Sequence, residues 1–247
     1  MAFAEITMRS TVLQMDVKVN VIIPEKRSSY LDEDPDQKYK VLYVLHGGRE
    51  DNSSWINSSN LYLYARDLDL FVIMPSAYNS AYVDTDYDLR MQTYISEELP
   101  FKMAKLFPIS TKREDTFIMG ESMGGYGTWL TTLLHPEKFG KAVPLSGTNL
   151  GALQSKRSAG RINLDELFEK NLKEGKQLTE YYFMCGTEDP GYERNITYIE
   201  HIKKDYGIQL KEEYWSGKHD FFFWNQTVPK ALQFFGFELD PERVKLV

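Results

Sequence analysis

The sequence predicts an α/β protein with a mostly parallel central sheet and helices on both faces, and three observations support this. Short apolar runs alternate along the chain with longer segments in which apolar residues recur at helical spacing. Several apolar runs end in glycine, which suits strands that lead directly into tight turns. Each crossover between parallel strands must return over one face of the sheet, so this alternation places the sheet between two layers of helices.

Eight segments are predicted to be strands. The first two, "EITMRST" and "MDVKVNVIIP", alternate apolar and polar residues, which is the period of half-buried strands, and we expect them to pair as an antiparallel hairpin. Five more are continuous apolar runs, typical of strands buried on both faces: "KVLYVLHGG", "LDLFVIMPSA", "DTFIMG", "GKAVPLSG" and "EYYFMCG". The last predicted strand is "IQLKEEYWSG".

Four longer segments are predicted to be helices. The first, "DLRMQTYISEELPFKMAKLF", contains Pro100, which is expected to kink it or divide it in two. "SMGGYGTWLTTLLHP" should stop at Pro136, and "ERNITYIEHIKKDYG" should end on Gly207, a residue type that favours helix C-termini. The last predicted helix is "WNQTVPKALQFFGF".

Composition limits the class of protein. The chain has 247 residues, of which 42% are apolar, so we expect a single domain over residues 1–247. The net charge is −7 without a basic block, which argues against a nucleic-acid or membrane partner, and no apolar run is long enough to span a bilayer. Cys185 is the only cysteine, and the first ten residues do not resemble a secretory signal. These features favour a cytoplasmic protein and leave open whether it forms a homo-oligomer.

The sequence predicts neither a cofactor nor a metal. It contains no G-x-x-x-x-G-K-[ST] segment, so nucleotide binding has no support. Asp84, Asp86 and Asp88 alternate as at the start of a calcium-binding loop. However, Leu89 and Ile95 stand where such a loop needs a glycine and a bidentate glutamate.

One predicted strand leads into a motif that carries chemistry. Gly120-Glu121-Ser122-Met123-Gly124 fits G-x-S-x-G between a strand and a helix, the nucleophile elbow of α/β-hydrolases. The turn is sharp and projects the serine hydroxyl above the sheet, while larger side chains at the two glycines would collide with the neighbouring strand and helix. The pentapeptide alone is weak evidence, since a glycine-rich packing turn would look the same. Its position after a strand and before a helix makes Ser122 the predicted nucleophile.

A serine hydroxyl needs a base, and in this fold the chain order is Ser, acid, His. Of the four histidines, His46 precedes the serine. His135 ends the elbow helix, where it suits the helix dipole, and His201 lies beside the apolar face of an amphipathic helix. His219 follows the last strand in a glycine-containing loop, from which an imidazole could reach Ser122. We therefore predict His219 as the base.

The acid is expected at the end of the preceding strand. "FMCGTEDPGY" offers Glu188 and Asp189, and we choose Asp189 while keeping Glu188 as an alternative. Asp220 is poorly placed, because adjacent side chains in an extended loop point apart. The acid would hold the imidazole tautomer and stabilise the imidazolium.

The remaining predicted site residues would bind the oxyanion and the substrate. Oxyanion donors are expected from the N–H of Met123 and from the glycines after "VLYVLH", with Gly48 preferred and Gly47 as the alternative. Three aromatic residues, predicted to lie in loops near strand ends, could line an acyl pocket, although large aromatics often belong to the core. They are Trp55, Tyr82 and Trp224.

These segments together resemble the tributyrin esterase family of esterase D-like α/β-hydrolases, which are related to S-formylglutathione hydrolases and feruloyl esterases. The resemblance rests on "VLYVLHGGREDNSSWI", "TFIMGESMGGYGTW", "CGTEDPGYERN" and "GKHDFFFWN", and runs from about residue 5 to residue 235. It implies the triad Ser122, Asp189 and His219. One departure is Glu121, where the family more often has an apolar residue; its charge must find solvent or a partner.

The resemblance also implies a serine carboxylesterase of short acyl chains, acetyl to butyryl, acting on a small-molecule ester. A feruloyl or cinnamoyl esterase and an acyltransferase on the same triad are the alternatives, since only exclusion of water separates hydrolysis from transfer. A non-catalytic binding protein of this fold is a further reading, but such proteins normally lack a triad residue. A small cap insertion is expected at about residues 148–178, with one helix at "LDELFEKNL". It is too short for a large lid and too basic for an oil-facing one.

Overall fold

The computed structural model describes residues 2–25, 34, 36–85, 89–148 and 162–241. Its sheet contains eight strands in the order β1-β2-β4-β3-β5-β6-β7-β8. The strands are β1 (Ala2–Ser10), β2 (Met15–Ile23), β3 (Lys40–Leu45), β4 (Leu70–Pro75), β5 (Thr116–Glu121), β6 (Lys141–Leu145), β7 (Glu180–Gly186) and β8 (Lys211–Trp215). Each corresponds to a strand predicted from the sequence.

The sheet is mostly parallel, as expected. Strands β1 and β2 form the predicted antiparallel hairpin, and β2 pairs antiparallel with β4. The other neighbouring pairs are parallel. The carboxyl ends of β3, β5, β6, β7 and β8 therefore share one edge, where ligands bind in such sheets.

The helices cover both faces of this sheet. They are α1 (Ser54–Ser58), α2 (Leu61–Ala65), α3 (Met91–Thr93), α4 (Leu99–Leu106), α5 (Met123–Leu134), α6 (Leu164–Lys173), α7 (Tyr192–Tyr206) and α8 (Phe221–Phe234). Gly207 ends α7 in the left-handed conformation, with φ 66°, which confirms its predicted role as a C-cap. The sequence analysis missed α1 and α2, because one turn of helix is too short to show a 3.6-residue period.

The long predicted helix around Pro100 is divided, but not at the proline. A π-helical turn over Tyr94–Glu98 separates α3 from α4, and Pro100 occupies the first turn of α4. Proline is tolerated there because the first N–H groups of a helix have no intrahelical acceptor.

Strand side chains alternate between two buried layers. Val41 and Tyr43 of β3 belong to the core on one face, whereas Leu42 and Val44 belong to the core on the other. This explains why the central strands appear as continuous apolar runs. Among the described residues, no helix is long and apolar enough to cross a bilayer.

The predicted cap at about residues 148–178 lies partly outside the described residues, which omit 149–161. Its predicted helix is present as α6, and the Asn163 side chain caps it by accepting the N–H of Asp165 at 3.0 Å. Leu164 and Phe168 of α6 are buried, and the Phe168 ring lies 6.0 Å from that of Trp129 in α5. This helix thus packs on the elbow helix, and the single-domain organisation stays a prediction.

Candidate active site

Ser122 occupies a strained turn between β5 and α5. Its backbone has φ 55° and ψ −113°, a conformation that non-glycine residues rarely adopt. A side chain at Gly120 would bring Cβ within 2.6 Å of the Gly124 carbonyl oxygen, and one at Gly124 within 2.4 Å of the Leu45 carbonyl oxygen. Both glycines are therefore required by close backbone approach, as the motif predicts, and strain at a serine is typical of functional sites.

The structure brings Ser122, His219 and Asp189 together from three strand ends. Nδ1 of His219 lies 2.6 Å from Oδ2 of Asp189, and Nε2 lies 2.8 Å from Oγ of Ser122. A carboxylate can only accept, so Nδ1 carries the proton. Nε2 is then free to accept the hydroxyl proton of Ser122, which is the arrangement required of a general base.

Asp189, and not Glu188, faces His219. The Asp189 carboxylate is buried and also accepts the Gly191 N–H at 2.7 Å, while Glu188 accepts the Ser216 hydroxyl at 2.6 Å. Burial alone would raise the pKa of Asp189, but hydrogen bonds from His219 and Gly191 hold it below its ordinary value. Asp189 therefore stays ionised beside the imidazole.

The other acidic and basic candidates cap helices or pair with side chains elsewhere in the fold. Asp220 caps α8, where its side chain accepts the Phe223 N–H at 3.2 Å. His135 lies at the C-terminus of α5, 3.6 Å from Glu137. His201 contacts Asp205 and Asp165, which links α7 to α6. None of these residues contacts Ser122, which agrees with the prediction.

The predicted oxyanion donors belong to the start of α5 and to the loop after β3. The Met123 N–H belongs to the first residue of α5 and has no intrahelical acceptor. In the loop after β3, the Gly47 N–H donates to Oε2 of Glu50 at 3.2 Å, whereas the Gly48 N–H has no acceptor among the described residues. This favours Gly48 over Gly47 as the second donor.

The three predicted aromatic residues are buried, with exposed fractions of 1% for Trp55, 0% for Tyr82 and 4% for Trp224. Tyr82 lies in a turn, but Trp55 lies in α1, so its predicted loop position was wrong. Trp224, which begins the last predicted helix, lies in the first turn of α8, because the Asp220 side chain caps that helix and starts it three residues earlier.

Each of these three side chains donates a hydrogen bond to a segment that builds the site. Nε1 of Trp55 donates to the Leu45 carbonyl at 3.1 Å, and the Tyr82 hydroxyl donates to the His46 carbonyl at 2.8 Å. Nε1 of Trp224 donates to Oγ of Ser146 at 3.2 Å. The Trp224 ring also meets the His219 ring edge-on at 5.1 Å.

Sequence reasoning did not assign a role to Ser146, although it follows the strand β6 at the same sheet edge. Its φ is 50°, and its hydroxyl accepts the Nε1 N–H of Trp224. The position after a buried strand was the only signal available, because a lone serine in "PLSG" carries no motif.

Within the described residues, no group of three or more His, Cys, Asp or Glu side chains could hold a metal ion. Asp86 and Asp88 of the calcium-like alternation lie outside those residues.

The fold and the serine at its strand-to-helix turn define a serine hydrolase of the α/β-hydrolase fold. A family model described as "Putative esterase" matches residues 10–235, which is most of the chain. The chain therefore belongs to this esterase family, and it is a carboxylic ester hydrolase.

Known proteins support the same assignment. An acetyl esterase of Caldicellulosiruptor saccharolyticus is 26% identical over 260 residues, covering 94% of this chain and 97% of its own length. The fluorophosphonate-binding serine hydrolase FphF of Staphylococcus aureus superposes with a TM-score of 0.87 at 29% identity, covering 96% of this chain and 99% of its own. The S-formylglutathione hydrolase FrmB of the same organism gives 0.85 at 30% identity, covering 95% and 98%. A ferulic acid esterase at 18% identity, covering 95% of this chain and 97% of its own, shares the fold with a TM-score of 0.77. These matches confirm the resemblance to esterases of this group.

Proposed function

We propose that the chain hydrolyses short-chain acyl esters, acetyl to butyryl, through an acyl-enzyme on Ser122. The observation that carries this proposal is the unbroken hydrogen-bond path from Ser122 through His219 to Asp189. A serine hydroxyl becomes a competent nucleophile only when a base takes its proton, and the path supplies that base already oriented.

The proposed reaction has two halves. Oγ of Ser122 attacks the ester carbonyl carbon while its proton passes to Nε2 of His219, and the alcohol leaves with that proton as the carbon–oxygen bond breaks. Water then attacks the acyl-enzyme, again giving a proton to His219, and the acid departs as Ser122 regains its proton. Asp189 stabilises the imidazolium at both stages.

The N–H groups of Gly48 and Met123 are the proposed donors to the oxyanion. Both lack an intramolecular acceptor in the described part of the chain, so they are available to the negative oxygen that forms on attack. Losing one such donor typically costs about 3 kcal/mol of transition-state stabilisation.

A short acyl group suits what surrounds the site. The similar protein of Caldicellulosiruptor saccharolyticus is named an acetyl esterase. The described part of the cap, α6, buries Leu164 and Phe168 and offers no detached apolar lid. The feruloyl alternative depended on stacking against Trp55, Tyr82 or Trp224, and their burial favours a positioning role for all three instead. Cytoplasmic location and homo-oligomer formation stay predictions.

A series of esters tests this function. We expect kcat/KM to be highest for acetyl and butyryl esters of para-nitrophenol and lower for octanoyl and feruloyl esters, with no jump in rate at the solubility limit. The same assays with an added alcohol should release free acid rather than the transfer product. Octanoyl preference with interfacial activation would refute the short-chain proposal, and feruloyl preference or efficient transfer would establish one of the alternatives.

A further inference from the structure

Glu121, the residue before the proposed nucleophile, is fully buried. Its exposed fraction is 0%, so its charge does not reach solvent, contrary to one of the two expectations from the sequence. Neither carboxyl oxygen makes a hydrogen bond of full geometry. The Glu121 carboxyl lies against Gly47, and the nearby Glu50 carboxyl acts on its charge.

The Glu121 carboxyl lies directly against the proposed oxyanion loop, residues 46–50. A Cβ at Gly47 would come within 2.4 Å of Oε2 of Glu121, so the carboxyl takes the space that a side chain at Gly47 would need. Glu50, at the other end of the loop, accepts the Gly47 N–H at 3.2 Å. The two carboxyl groups thus bracket the residue that precedes Gly48.

The other titratable groups facing this pair do not neutralise it with a positive charge. Burial lowers the pKa of His46, whose Nε2 accepts the Ala77 N–H at 2.9 Å, so the ring is neutral. Burial is the largest cause that raises the pKa of Tyr82 well above its ordinary value. Burial likewise raises the pKa of Glu121 well above its ordinary value, and the charge of the Glu50 carboxyl adds to this.

We propose that Glu121 stays protonated beside Glu50, and that these two carboxyl groups position the Gly47–Gly48 segment for oxyanion binding. The inference rests on the proposed function. Two carboxyl groups held on either side of one residue do not both ionise readily, so the buried one keeps its proton. With that proton present, Glu50 keeps one oxygen for the Gly47 N–H, and no second negative charge lies beside the forming oxyanion. Glu121 and Glu50 are positioning residues and do not touch the substrate.

The pH profile of kcat tests the positioning role. We expect wild-type kcat, relative to its own maximum, to fall roughly tenfold on the alkaline side, because ionised Glu121 both repels Glu50 and opposes the oxyanion. Glu121→Gln should abolish this alkaline fall, since an amide cannot ionise. Glu50→Gln should move the fall to lower pH, because removing the neighbouring charge makes Glu121 easier to ionise. The matched control Glu188→Gln should keep the wild-type profile.

Urea unfolding supplies a readout that does not depend on catalysis. A carboxyl group whose pKa is raised in the folded state stabilises the protein at low pH. This contribution to the free energy of unfolding is lost as the pH rises above the pKa of the unfolded state, because the unfolded chain releases the proton first. We therefore expect the wild-type urea midpoint to fall between about pH 5 and pH 8 relative to that of Glu121→Gln.

The two measurements separate the possible failures. If the urea midpoints of the wild type and of Glu121→Gln change with pH in the same way, Glu121 is ionised in the folded protein and the inference is overturned. If the urea midpoint shifts as predicted but the alkaline fall in kcat is unchanged in both Glu121→Gln and Glu50→Gln, the positioning role is overturned. A wild type that shifts as predicted but hydrolyses no ester would refute the proposed function while leaving the protonation of Glu121 established.

Discussion

Ser122→Ala should lower kcat for a butyryl ester roughly 10⁶-fold, the scale of loss on removing the nucleophile of a serine protease. The expectation follows from the strained turn that presents the hydroxyl and from its 2.8 Å contact with Nε2 of His219. Alanine keeps Cβ and the backbone conformation, so the fold should be retained, which circular dichroism and urea unfolding would verify.

Covalent labelling provides the second readout for Ser122. A fluorophosphonate should add one mass equivalent to the wild-type chain and none to Ser122→Ala. Ser216→Ala is the control, since it removes a hydroxyl from the neighbouring loop after β8 and should label like the wild type. If Ser122→Ala were labelled at the wild-type rate, the nucleophile would be another residue.

Asp189→Asn should lower kcat by about 10⁴-fold, as the equivalent change does in a serine protease. The carboxylate accepts the Nδ1 proton at 2.6 Å, whereas an asparagine amide can donate and so favour the tautomer with the proton on Nε2. That tautomer cannot accept the hydroxyl proton of Ser122. The geometry around Asp189 is otherwise preserved, because asparagine has the same shape.

Glu188→Gln is the matched control for Asp189→Asn. Glu188 contacts Ser216 and not His219, so its replacement should change kcat little. The opposite pattern would move the acid one residue upstream.

The order of elements was predictable because it depends on local patterns. Continuous apolar runs such as "TFIMGE" supply both core layers, and this requirement appears directly in the sequence. The shortest helices were not predictable, because one turn shows no period. A division of the long predicted helix near Pro100 was predicted, but its position was not, because the π-helical turn that divides the helix depends on the packing around it.

The three residues of the proposed triad and their order along the chain were predictable, but which carboxyl group faces His219 was not. G-x-S-x-G marks Ser122, and only one of the four histidines follows a strand in a suitable loop. Glu188 and Asp189 are adjacent, so only the turn after β7 decides which of them faces His219. Spacing along the chain does not specify the direction of a side chain in a turn.

The amino-acid sequence was sufficient to predict the order of strands along the chain and the elbow at Ser122, because each depends on residues that are close together in sequence. Only the fold shows that Glu121 is buried against Gly47 and that Trp224 donates a hydrogen bond to Ser146. These contacts join segments that are distant in the chain. They arise from the way the carboxyl ends of parallel strands meet at one edge of the sheet, and burial at that edge changes the charge state that a carboxyl group can hold.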